Sequence, residues 1–230
     1  MIKINDLYLK KKIPEISHLN IQVNDGESYT LLSSGVNDIN HLINIFCGLE
    51  RNFKGVVEID NVDICCAGDS CRDRLSFLNG ESKWPRDMNT GNIITFLKKR
   101  LTIPDDEFEE FYMKLGLEHI RRKKIGDLEE FSWRKILFSL ILLKKCRNYI
   151  FRDFARGMPL DFNLEFKKSI HRLKKEGCSI LYFSNDVFFA PEIGDRIGFM
   201  KKGKLLLELK AERMKRMSLK ELYFEFLAEQ

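Results

Sequence analysis

No apolar run in this 230-residue chain reaches the roughly 18 residues that would read as a membrane-spanning helix. The opening stretch, Met1-Ile2-Lys3-Ile4-Asn5-Asp6, alternates like a strand and lacks the long apolar core of a secretory leader, so a cytoplasmic location is expected. A strong charge excess is also missing. Lys and Arg number 39 against 34 Asp and Glu, for a net charge of +5, which is too dilute to argue for nucleic acid; no such partner is expected. Six cysteines include Cys65, Cys66 and Cys71, but no histidine falls at ligand spacing near them and no CxxC pair occurs. That excludes a zinc knuckle and favours reduced, structural thiols. His18, His41, His119 and His171 are scattered, so neither a Ser-His-Asp nor a Cys-His arrangement can be argued. Repeats and low-complexity segments are absent.

What is present suffices for a sizeable core: 44% of the residues are hydrophobic and 11% aromatic. Residues 2–9 and 19–23 read as short strands, Asp25-Gly26 as a turn, and residues 29–32 as an apolar strand. A helix follows whose stripe is Leu42, Ile43, Ile45, Phe46 and Leu49. Lys54-Gly55 then turns into a strand over 56–59, and Asp60-Asn61 turns again. Residues 88–146 read as mainly helical, ending in a helix over 132–145. The apolar Tyr149-Ile150-Phe151, a helix over 164–175 closed by Gly177, a strand over 179–183 and a hairpin around Gly203 complete the pattern. Strands alternating with helices imply a parallel α/β sheet.

Between the strand at 29–32 and its helix lies Ser33-Ser34-Gly35-Val36-Asn37-Asp38-Ile39-Asn40-His41. A phosphate-binding loop reads G-x-x-x-x-G-K-[ST]: backbone N–H groups close around phosphates, the lysine reaches their outer oxygens, and the hydroxyl holds Mg²⁺. The four diagnostic positions here read Ser33, Asp38, Ile39 and Asn40. Taken alone, this is an ordinary polar turn.

Its surroundings change that reading. Asn24-Asp25-Gly26-Glu27, then Leu42-Ile43-Asn44-Ile45-Phe46-Cys47-Gly48-Leu49, Gly55-Val56-Val57-Glu58-Ile59-Asp60, Leu173-Lys174-Lys175-Glu176-Gly177-Cys178-Ser179-Ile180-Leu181, Asp195-Arg196-Ile197-Gly198-Phe199-Met200-Lys201-Lys202-Gly203-Lys204-Leu205 and Ser218-Leu219-Lys220-Glu221-Leu222-Tyr223 follow one another in a specific order. In this order the chain resembles the nucleotide-binding subunit of an ATP-binding cassette (ABC) transporter, nearest the drug-exporter or ABC-2 type. The resemblance implies an α/β P-loop NTPase fold with a RecA-like parallel sheet core, an antiparallel β subdomain and an inserted helical subdomain. It implies a single domain over 1–230: a strand-rich part (1–87) with the P-loop remnant, a helical part (88–146), and the rest of the core with a C-terminal helix (147–230).

Laid on this sequence, the family's motifs keep the framework and lose the catalytic letters. Ser33, Ser34, Gly35, Asn37, Asp38, Ile39, Asn40 and His41 occupy the degenerate Walker A. The Walker B aspartate falls on Arg152, a cation that repels the metal it should hold. The catalytic glutamate falls on Asp153, one methylene shorter, and the switch histidine on Asn185. Leu128, Glu129, Glu130, Phe131 and Ser132 take the signature positions, putting charge and bulk where glycine backbone receives a partner's phosphate. The Q-loop glutamine falls near Gly80 or Glu81, the D-loop aspartate near Pro159, and adenine stacking near Lys11, with Tyr8 close by. Replacing the lysine with Ile39 removes charge-assisted bonds worth roughly 1.5–3 kcal/mol each.

The expectation is therefore a pseudo-ATPase, with no cofactor required and at most weak use of ATP and Mg²⁺. It would be peripheral to the cytoplasmic membrane face, partnered by an ABC-2-type permease and by itself or a second, intact ATP-binding subunit. Residues 84–101, with Phe96, Lys98, Lys99 and Arg100, would supply the docking surface. An unconventional ATPase using Asp153 and a soluble scaffold are the alternatives. Asp38 and Arg152, opposite charges in one expected pocket, suggest an ion pair that closes it.

Overall fold

The structure is a computed structural model that describes residues 1–10, 14–33, 35–66, 73–80, 84–114, 117–210, 213, 218, 220–221 and 224. Its described residues form two sheets. β1 (Ile2–Lys10), β2 (Pro14–Val23), β4 (Lys54–Ile59) and β5 (Val62–Asp63) make an antiparallel sheet in the order β2-β1-β4-β5. β3 (Ser28–Ser33), β6 (Leu75–Asn79), β7 (Asn148–Arg152), β8 (Ser179–Ser184), β9 (Arg196–Lys201) and β10 (Lys204–Lys210) make the second, in the order β10-β9-β3-β8-β7-β6. Only the β9–β10 hairpin pairing is antiparallel there. β3, β7 and β8 are buried along their whole length, because both faces of this sheet are covered and its central strands must be apolar on both sides.

Strand alternation divides the core. Ile150, Leu181 and Phe183 face a cluster shared with the antiparallel sheet and α1 (Val36–Phe46). Their neighbours Tyr149, Phe151, Ile180 and Tyr182 face the opposite side, where α2 (Thr90–Leu101), α3 (Asp105–Lys114), α4 (Glu130–Leu143) and α5 (Leu160–Lys175) pack. α5 buries Phe162, Phe166, Ile170 and Leu173 at helical spacing. Arg172, Lys174 and Lys175 complement the negative end of its dipole. Gly177, with φ +81°, lets the chain leave that helix in a left-handed turn. The short α6 (Ala190–Ile193) follows β8.

Several local readings change. β2 begins five residues before the expected strand at 19, because register shifts and positive φ at Asp6 and His18 break the alternation that marks a strand. Lys54 and Gly55 belong to β4 rather than to a turn, and Gly55 sits against the Asp6 carbonyl, where a Cβ would lie 2.3 Å away. α1 stops at Phe46, so Leu49 leaves the stripe and is exposed. α4 spans Glu130–Leu143 rather than 132–145, and α5 starts at Leu160 rather than 164.

Candidate functional site

The parallel strands deliver their C-terminal ends to one edge of the sheet, where open α/β sheets bind ligands. Ser33 closes β3, Asn79 closes β6, Arg152 closes β7 and Ser184 closes β8. α1 begins at Val36, so positions 36–40 of the would-be phosphate loop are helical and only 34 and 35 lie between strand and helix. A wide arch of backbone N–H groups is therefore absent among the described residues. The Ser33 hydroxyl instead accepts from the Gly35 N–H at 3.1 Å.

Asp38 is buried, and its Oδ2 accepts from the N–H of Gly203, in the β9–β10 turn, at 3.0 Å. The same carboxylate folds back on Gly35, where a Cβ would lie 2.8 Å from Oδ2, so a side chain there would displace it. Ile39, at the lysine position, is 4% exposed and packs into the apolar cluster of α1. Asn40 points the other way, and its Oδ1 accepts a hydrogen bond from Nη1 of the buried Arg152. His41 is half-buried beside it in the helix.

Asp153 follows with φ +43°, a left-handed conformation that few residues other than glycine adopt. Its N–H donates to the Phe183 carbonyl at 2.9 Å, and its Oδ1 accepts from the Ser184 hydroxyl at 2.9 Å. That hydroxyl in turn accepts from the Asp186 N–H at 3.0 Å. Gly80 presses its backbone on Asp153, with a Cβ position only 2.6 Å from the carbonyl. Asn185 is exposed at the end of β8.

The expected Asp38–Arg152 ion pair is replaced, in the described contacts, by two separate ones: Asp38 with Gly203, Arg152 with Asn40. Sequence reasoning missed Asn40 and Ser184 as partners. The only signal for Ser184 was its place beside Asn185.

The signature positions go elsewhere. Glu129 is the exposed N-cap of α4, with no capping side-chain bond, while Leu128 and Phe131 are half-buried against the helical-side core. Ser132 donates its N–H to the Glu129 carbonyl at 3.0 Å. No described hydrogen bond or ion pair joins residues 128–132 to the Asn40–Arg152 cluster. Tyr8 packs on His18, with ring centroids 5.5 Å apart. Lys11, Ser34 and Glu81 lie outside the described residues, as do the side chains of Asn37 and Glu130.

These groups do not fit Mg²⁺ or a triphosphate. A guanidinium and an amide bond each other where a carboxylate and a hydroxyl would hold the cation, and a buried carboxylate stands at the helix N-terminus where phosphate oxygens would sit. Among the described residues, no group of three or more His, Cys, Asp or Glu could hold a metal ion.

No family model matches the chain. It is 25% identical over 208 residues to the sn-glycerol-3-phosphate import ATP-binding protein UgpC of Bartonella bacilliformis, covering 87% of this chain and 58% of that protein. It is 23% identical over 230 residues to the bacitracin transport ATP-binding protein BcrA of Bacillus licheniformis, covering 98% and 74% respectively. The chain thus spans little more than half the length of UgpC. Among solved structures, the ATP-binding subunit of an ABC transporter superposes with a TM-score of 0.87 at 15% identity, over 98% of this chain and 99% of that one. The ADP conformation of MJ1267, an ATP-binding cassette of an ABC transporter, gives 0.79 at 14% identity, over 96% and 95%. The chain therefore has the ABC ATPase fold, and over most of its length it is similar in sequence to ATP-binding subunits of ABC transporters.

Proposed function

We propose that this domain is a non-hydrolysing counterpart of ABC ATP-binding subunits, serving as a structural or regulatory piece of an ABC-2-type membrane export complex. The carrying observation is the Arg152–Asn40 contact, which spans with a fixed cation the gap that a metal ion would otherwise bridge. Ile39 turned into the core and Asp38 bonded to Gly203 support the same reading.

The partners follow from this reading. A transmembrane permease would hold the domain at the cytoplasmic membrane face; no described helix is long and apolar enough to cross a membrane. Phe96, 65% exposed on α2, suits the docking surface. Lys98 does not, because its ammonium is turned to Asp105 at 2.6 Å and lies over the Phe108 ring. A second, intact ATP-binding subunit or a second copy of this chain would complete the dimer.

Calorimetric titration with Mg-ATP, paired with thermal unfolding, tests the proposal. A ligand present at a hundredfold excess over its dissociation constant stabilises the folded state by about 2.7 kcal/mol. The expected result is no binding heat and an unchanged midpoint. Micromolar binding overturns the reading, as does ATP turnover that Asp153→Ala abolishes.

A further inference from the structure

At the opposite end of the same strands, a cavity of about 420 Å³ opens between the C-termini of α4 and α5 and the starts of β7 and β8. Its volume falls within the range of small-molecule sites. Leu142, Leu143 and Leu173 give it an apolar wall, and Cys146, Cys178 and Tyr149 lie deep within it. The Tyr149 hydroxyl is itself buried, with the Cys146 backbone and the Cys178 thiol as its near polar neighbours.

Two helix C-termini would normally make such a place hostile to an anion. Here the chain itself satisfies the terminal carbonyls: Leu140 and Leu142 accept from Lys144 and Lys145, and Arg172, Leu173 and Lys174 accept from Glu176, Cys178 and Gly177. Side chains therefore set the charge of the rim. Lys145, Arg147 and Arg172 line it against one carboxylate, Glu176, while Asp25 acts on Arg147 from the adjoining surface. Lys145 is held by Glu107 at 2.8 Å and Arg172 lies 3.8 Å from Glu176, whereas Arg147 is exposed and has no ion pair within 4 Å among the described residues.

We infer that this cavity binds a small amphipathic organic anion, its apolar body against Leu142, Leu143 and Leu173 and its charge at Arg147. The site is independent of the nucleotide-site reading, because it shares no residue with the Asn40–Arg152 edge.

Decanoate, kept below its micelle-forming concentration, is the probe, and decyltrimethylammonium is the matched cation. Calorimetry on the full chain should show one decanoate bound, with affinity reduced about tenfold or more in Arg147→Glu, the loss expected for one charge-assisted contact. Binding should also slow modification of Cys146 and Cys178 by a small uncharged thiol reagent. The exposed Cys65 and Cys66 supply the internal control, and their rates should not change. The inference is overturned by any of three results: no saturable heat in the wild-type chain, equal affinity for the cationic analogue, or equal protection of all four thiols. The wild-type measurements stand even if the Arg147 variant folds poorly, and Arg147→Gln then replaces it.

Discussion

If Arg152 and Asn40 hold β7 and α1 together in place of an ion, their energies should be coupled. Arg152→Met keeps most of the apolar stem and deletes the guanidinium, while Asn40→Ala deletes the acceptor. Arg152 is 8% exposed, so solvent screens the contact little. A hydrogen bond to a charged group contributes about 1.5–3 kcal/mol. Asn40→Ala should therefore destabilise the domain by about 2 kcal/mol, and it should cost much less in the Arg152→Met background. A coupling of about 1–2 kcal/mol is expected from the double-mutant cycle. Urea unfolding followed by tryptophan fluorescence suits the measurement, because Trp84 and Trp133 pack edge to face with centroids 5.4 Å apart on the helical side of the core. Each kcal/mol should also move the thermal midpoint by about 2–4 °C in a chain of this size. Two independent, additive losses would refute the bridging role, and with it the observation on which the functional proposal rests.

Three further outcomes are expected. Burial, aided by Glu208 at Tyr29, pushes the phenols of Tyr29, Tyr149 and Tyr182 well above the usual 10.0. The folded state then keeps protons that the unfolded chain releases, so stability is intact below pH 10 and falls above it, by up to about 1.4 kcal/mol per pH unit for each tyrosine. Urea midpoints that stay constant on raising the pH past this value would contradict that assignment. Gly80→Ala should destabilise by about 1–3 kcal/mol, because its Cβ would meet the Asp153 backbone carbonyl at 2.6 Å and backbone cannot swing aside; an unaltered chemical-denaturation midpoint would refute the close approach. Phe166→Ala should cost about 3–5 kcal/mol, since its fully buried ring meets Phe138, Phe151 and Phe154 with centroids 5.2–5.7 Å apart. A loss below about 1 kcal/mol in calorimetric unfolding would show that this aromatic cluster can collapse around the gap.

Where a single physical rule dominated, the chain was legible. Residues 149–151 and 179–183 lie in central strands covered on both faces, and their unbroken apolar runs announce it. α5 shows its face at Phe166, Ile170 and Leu173. β2 was half-hidden because bulges shift its register, and β6 passed unnoticed because Leu75–Asn79 is a short run that gains meaning only beside β7. At the site, the family resemblance singled out Arg152 and Asp153 as candidates, but the partners they meet come from segments over 100 and about 30 residues away. No local pattern encodes which amide a guanidinium will meet across that distance. Opposite charge alone pointed to Asp38, whereas the helix turns Asn40 toward Arg152 and Asp38 toward the β9–β10 turn.

The burial of Ile39 also bears on any redesign of this edge. Its side chain shares an apolar cluster with Leu42, Ile43 and strands of both sheets. A lysine at that position would place an ammonium among hydrocarbon, at a cost of several kcal/mol, before any phosphate could reward it. A lysine-bearing phosphate loop here would first require α1 to unwind its opening turn. Packing thus sets a threshold: a single substitution at this position forfeits core contacts before any new site can repay the loss.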